Sequence, residues 1–256
     1  MSKIEEILEI GPNSDSQALF ENDCELYFSV PETDAIIKRV SLPESMALEP
    51  RQTALFEFSA TLIDPPDSYY MDVYDLNGDT EKLTVGYNRN CVDEKIGDLT
   101  DRFIKPSGFR LRSLALADGY RYFCQPEGGE LICLLDISET IGSYCFLWDN
   151  YPTHPGLLYN GRNSLSNEIN KDSRFAIDLA ATLQFQQATL FSSGRSVPLS
   201  RILVTGSAVE DALMDQIESL MNVTTTYPSM KNSAFSPEAI NDAGRYLVGL
   251  GLTADI

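Results

Sequence analysis

Asp136 is the residue on which chemistry would turn. It closes an almost wholly apolar run, Leu131 to Leu135, and is followed by a short polar turn, Ser138 to Ser143. A second apolar run then leads to Asp149-Asn150, a pair suited to a tight hairpin turn. A carboxylate fixed at the end of a buried strand either caps that strand or holds a magnesium ion through water. Other options for chemistry are few. His154 is the sole histidine and sits in Pro-Thr-His-Pro, which reads as a loop. Ser143 and Ser207 make a nucleophile–base pair with it only on paper, because no Gly-x-Ser-x-Gly elbow is present. Cys24, Cys91, Cys124, Cys133 and Cys145 lack CxxC spacing and read as reduced thiols, not as a metal or disulfide set.

The elements that must position Asp136 follow from periodicity. Strands are expected at Glu25–Val30, Ile36–Leu42, Tyr69–Tyr74, Lys82–Tyr87 and Phe109–Leu114, with Asn77-Gly78 as a hairpin turn. Helices are expected at Ser2–Ile10, Asp15–Asn22, Pro50–Ala60, Val92–Ile104 and Leu116–Phe123. Beyond Asp149 come a long helix within 163–191, a strand at Arg201–Thr205 running into Gly206-Ser207, and a helix at Val209–Met221 with Ser207 as its N-cap. A short strand at Val223–Thr226 precedes a last helix capped by Ser236 with Pro237 at its first position. Tyr69, Tyr70, Tyr74 and Tyr87 fit either a partner surface or strand packing.

Composition bounds the function. The chain has 256 residues, 43% of them hydrophobic, enough for a substantial core. Its net charge of −19 argues against nucleic acid or anionic lipid as a partner and suits a basic segment. No apolar run approaches the roughly 18 residues of a membrane span. Met1 to Ile10 carries three glutamates and no export signal, so the expected location is the cytoplasm.

Four stretches resemble the PilM family of type IV pilus assembly, with its relatives MshI and the cytoplasmic part of the type II secretion L component. Leu134-Leu135-Asp136-Ile137-Ser138 resembles the family's Val-Asp-Ile-Gly second phosphate segment. Ser200 to Ser207 resembles its Arg-Ile-x-Leu-Thr-Gly-Gly adenosine segment, and Asn241 to Leu250 its closing Ala-x-Gly-Leu-Ala-Leu helix. Arg39 to Glu44 resembles the strand-then-Leu-Pro that opens the inserted subdomain 1C. Each is weak alone; their order and spacing cover most of residues 25 to 251.

The resemblance implies an α/β chain with a reduced actin-like fold (the actin, Hsp70 and FtsA type) carrying a 1C-type α+β subdomain. The implied units are a remnant first lobe at 1–30, completed by 116–127 and 237–256, a 1C-like unit at 31–115 and a second lobe at 128–236. Any nucleotide, ATP with magnesium, would fall to Asp136, Ser138, Gly206 and Ser207. The departures weigh against it. About 24 residues precede the first strand, and none reads Asp-x-Gly, so the first phosphate loop is expected to be absent. Ser138 and Ser207 stand where the family has glycine, and Glu139 adds a negative charge beside the phosphate path. The expectation is a non-catalytic cytoplasmic scaffold without metal or cofactor, peripheral to the inner membrane through its partners. Its expected partner is the cytoplasmic tail of a PilN-like bitopic protein, bound at Val40, Ser41, Leu42, Ile96 and Leu99, with self-association as a further possibility. The alternative is an actin-like ATPase that assembles with nucleotide.

Overall fold

The computed structural model describes residues 26–42, 49–76, 81–101, 105–124, 126–139, 141–158, 171–190, 197–230 and 246–254. The expected N-terminal helices, the Asn77-Gly78 turn and the Ser236-Pro237 cap lie outside these residues.

Three sheets organise the chain. The largest has five strands in the order β10-β9-β6-β7-β8, comprising β6 (Leu131–Ile137), β7 (Gly142–Trp148), β8 (Tyr151–Leu158), β9 (Leu199–Thr205) and β10 (Thr224–Thr226). β9 runs parallel to β6 and β10, whereas β7 is antiparallel to both β6 and β8. The β7–β8 turn is Asp149-Asn150, with φ of 52° and 67°, the left-handed pair that a two-residue hairpin needs. Every residue of β6 is buried, as a continuous apolar run requires of a strand covered on both faces.

Leu131, Cys133, Leu135 and Ile137 face α4 (Lys171–Thr189) and α5 (Asp211–Met221), packing on Phe175, Leu179, Leu183, Leu213 and Ile217. Ile132 and Leu134 face the other way. They pack on α3 (Arg112–Gly119), on the π-helical turn that continues it through Tyr120–Cys124, and on α6 (Leu247–Leu252). α5 starts after Glu210, two residues later than the sequence indicates, so Ser207 does not cap it.

A second sheet, β2-β4-β3, is antiparallel and comprises β2 (Ala35–Ser41), β3 (Tyr69–Asp75) and β4 (Glu81–Asn88). α1 (Pro50–Ser59) covers one face through Ala54 and Phe58, which meet Val40 and Leu42. α2 (Arg89–Asp101) covers the other through Val92. The tyrosines serve strand packing: Tyr69 and Tyr87 are buried, and Tyr74 Oη and Tyr87 Oη are 3.1 Å apart.

The third sheet, among the described residues, pairs β1 (Leu26–Val30) with β5 (Pro106–Leu111) in parallel. Residues 106–111 were expected in the inserted unit, and 109–114 as a strand. The strand ends at Leu111 and α3 begins at Arg112, before the expected helix start. Phe109 lies between Phe28 and Tyr87, which joins β1, β5 and β4 in one core.

α3 and α6 cross at backbone contact. A Cβ on Gly251 would overlap the Ala115 carbonyl and lie 2.6 Å from Gly119 N. Gly251→Ala should therefore cost about 3 kcal/mol, the upper end for overpacking. Gly97, on α2 with nothing within 4 Å of its Cβ position, is the control. Gly97→Ala should stabilise by about 0.5–1 kcal/mol. Denaturant midpoints of the two variants measure both, and equal effects would refute the crossing geometry.

Candidate functional site

The site forms where the C-terminal ends of β6 and β9 meet the start of α3. Asp136, Ser143 and Thr205 sit abreast in the five-stranded sheet, since Asp136 pairs with Ser143 on β7 and with Thr205 on β9. Directly paired residues share a face, and for these three it is the face toward α3. All three are buried.

Asp136 is engaged. Arg112, the first residue of α3, donates from Nε and from Nη2 to Asp136 Oδ2, each at 2.5 Å. Beside this pair lies Glu32, in the 3-10 turn Glu32–Asp34 just past β1. Its Oε1 accepts the backbone N–H of Ser113 at 2.7 Å, and its Oε2 accepts Ser143 Oγ–H at 2.6 Å. Burial raises the Glu32 pKa, and the hydrogen bonds from Ser143 and Ser113 oppose that rise. The α3 N-cap, Leu111, supplies no side-chain hydrogen bond, so Glu32 provides the anionic acceptor from another part of the chain.

Of the other expected phosphate-facing residues, Ser138 and Gly206 serve the local backbone. Ser138 Oγ donates to the Ile141 carbonyl and accepts the Ile141 N–H, at 2.5 and 3.1 Å, which closes the turn between β6 and β7. Gly206 has φ of 109°, and a Cβ there would overlap the Ile137 backbone. Ala208 N–H donates to the Ile137 carbonyl at 3.1 Å. Ser207 is exposed. Mg-ATP does not fit this arrangement. The carboxylate that would take a hydrated magnesium holds a guanidinium, a second buried carboxylate lies alongside, and the Ser138 side chain is folded into its own turn. Thr205 Oγ1 is buried with no hydrogen-bond partner among the described residues, but one hydroxyl makes no phosphate cradle.

The serine–histidine pairing is excluded by the sheet. His154 lies in β8, not in a loop, and its ring stacks on Tyr144 and bonds Gln186 Oε1 on α4 at 2.8 Å. Burial lowers its pKa. Ser143 faces α3, on the opposite side of the sheet.

The five expected tail-binding residues do not gather on one surface. Val40 and Leu42 are buried beneath α1, while half-buried Ile96 and Leu99 pack on the opposite face of the three-stranded sheet. Only Ser41 is exposed. A strand's period of two explains part of the split: Val40 and Leu42 share the α1 face, whereas α2 covers the other. Arg112 and Glu32 went unnoticed in the sequence, where neither stands near Asp136. A polar Arg-Ser pair directly before the apolar Leu114–Ala117 was the one available sign of a helix start.

No known protein-family profile matches the chain, and no curated protein does. Solved structures match. A chain of a PilM–PilN type IV pilus biogenesis complex superposes with a TM-score of 0.69 at 14% identity, covering 89% of this chain and 78% of that one. The chain has a PilM-like, reduced actin-like fold. Two further structures align with lower scores. The cytoplasmic domain of EpsL, an inner-membrane component of the Vibrio cholerae type II secretion system, gives 0.47 at 10% identity over 78% of this chain and 74% of that one. A Bacteroides thetaiotaomicron protein of unknown function with an actin-like ATPase fold gives 0.48 at 11% over 90% and 74%. α3 and α6 pack between the β1–β5 pair and the five-stranded sheet. No described helix is long and apolar enough to cross a membrane.

Two measurements probe the electrostatics. Arg112→Ala leaves Asp136 buried without its cation and should cost about 3–5 kcal/mol, whereas Arg112→Met with Asp136→Leu should recover most of that loss. Chemical denaturation reads both. Asp118, on α3 beside Arg110 and Arg121, is pushed by burial from 3.8 to about 6, against the pull of the two arginines. Native protonation there stabilises below the unfolded pKa, and that contribution is lost as pH rises through about 4 to 6. Asp118→Asn should flatten this part of the Tm–pH curve; a constant offset from wild type across pH 4–7 would contradict it.

Proposed function

We propose that this chain is a non-catalytic scaffold at an inner-membrane assembly platform of the type IV pilus or type II secretion kind. It binds the short cytoplasmic tail of a PilN-like bitopic protein and stays in the cytoplasm, peripheral to the membrane through that partner. The observation that carries the reading is the fold match, over 89% of this chain and 78% of the other, to a chain of a PilM–PilN complex. Asp136, committed to Arg112, supports a scaffold that works without ATP hydrolysis. The charge of −19 suits a tail whose residues next to a membrane span are basic. Of the expected contact residues, Ser41, Ile96 and Leu99 retain exposed atoms and are the ones to test, whereas Val40 and Leu42 serve the core.

Titration calorimetry with tail peptides of neighbouring bitopic proteins tests the proposal. A saturable isotherm that weakens with salt is expected, and no binding to any such tail sinks it. Millimolar Mg-ATP should leave the melting temperature unmoved. A ligand at about 100 times its Kd would add about 2.7 kcal/mol, so a clear upward shift would favour the ATPase reading instead.

A further inference from the structure

We propose that this chain closes the junction between its two lobes with its own charged side chains, so that the scaffold is held in one arrangement without a nucleotide. This deepens the non-catalytic reading above and does not depend on which tail binds.

Glu32 is the centre of the latch. It is 81 residues from Ser113 and 111 from Ser143, yet it bonds both at once. Those two bonds tie the end of β1 to the first turn of α3 and to β7 of the second lobe. The Arg112–Asp136 pair ties the same turn of α3 to the end of β6. A third tether comes from the inserted sheet, where Arg39 Nη2 on β2 donates to the Thr153 carbonyl of β8. The turn that carries Glu32 also packs against β8. Three charged side chains, from β2, from the turn after β1 and from α3, thus reach three strands of the second lobe.

The family resemblance places these contacts where a bound nucleotide would otherwise bridge the lobes. Asp136 and Ser138 resemble the phosphate segment, and both are bonded within the chain. Hydrogen bonds to ionised groups are among the stronger polar contacts in a protein, and a buried one is costly to break without replacement. A junction closed in this way has no ligand to gain or lose, so the lobes have no nucleotide-driven opening step. The surface offered to a partner is constitutive.

Hydrogen–deuterium exchange on the full chain tests the latch, because the Ser113 amide is itself a latch bond. In wild type the amides of Ser113 to Ala115 and of Phe28 to Val30 should exchange slowly, equally with and without millimolar Mg-ATP. Glu32→Ala should speed them about tenfold or more, as expected for loss of a charged hydrogen bond, and leave α5 unchanged. Should Glu32→Ala fail to fold, Ser143→Ala removes one of the two bonds and should give a smaller increase in the same segments. Unchanged exchange at Ser113 in the variants overturns the latch. So does protection of Ile137 to Glu139 or Gly206 to Ala208 by Mg-ATP in wild type. A latch that behaves as expected while no tail binds would remove the proposed partner and keep the latch.

Discussion

A charged carboxylate cannot be left alone at the end of a strand buried on both faces. Asp136 is in that position, and the protein answers with a guanidinium set against it through Nε and Nη2. The position of α3 follows from this pairing, since Arg112 is its first residue. Once α3 starts there, Ser113 N–H points at the same junction and needs an acceptor of its own, which Glu32 supplies from just past β1. One electrostatic requirement thereby links the ends of β1 and β6, the start of α3 and, through Ser143, the adjoining strand β7.

Packing makes the same demand from the other end of α3. Gly119 and Gly251 let α3 and α6 meet at backbone distance, and Leu247 and Leu250 then press on the five-stranded sheet together with Leu116 and Tyr120. The helix pair is thus clamped between the β1–β5 pair and the large sheet, apolar at its centre and charged where α3 begins. Removing water from that charged end strengthens each contact there and raises the cost of leaving any group unpaired. A two-stranded parallel sheet is too small to stand alone. The β1–β5 pair is held by this clamp and by the core it shares with β4.

The elements whose signals are local were legible in the sequence. The apolar run of β6, the Asp149-Asn150 turn, the β3–β4 pairing and the α4 stripe all follow from spacing within a few residues. What failed depended on distant residues. β8 was read as a loop because Pro152 and Pro155 flank His154, yet an edge strand tolerates prolines on its unpaired side. The pairing of β5 with β1 was missed because nothing near β5 shows a partner about 80 residues earlier. The start of α3 was missed because Arg112 and Ser113 look like loop residues until Asp136 and Glu32 are seen to hold them. The expected tail-binding residues fall on two faces for a related reason: strand alternation shows that Val40 and Leu42 share a face, but not that Ile96 and Leu99 cover the other one.

The motif residues bear on what a resemblance of this kind can establish. Gly206 is required here because its φ is positive and its Cα lies against the Ile137 backbone, whether or not a ligand is near. Ser138 is required because it closes its own turn. Asp136 terminates the buried strand on a guanidinium. Asp136, Ser138 and Gly206 thus each have a structural role within the chain. The motif is therefore a reliable marker of how β6 and β9 end side by side, and a weak one for what binds there. The discriminating residue lies outside the motif, at position 112. There an arginine pairs with the strand-ending acid through Nε and Nη2, so that carboxylate is engaged within the chain.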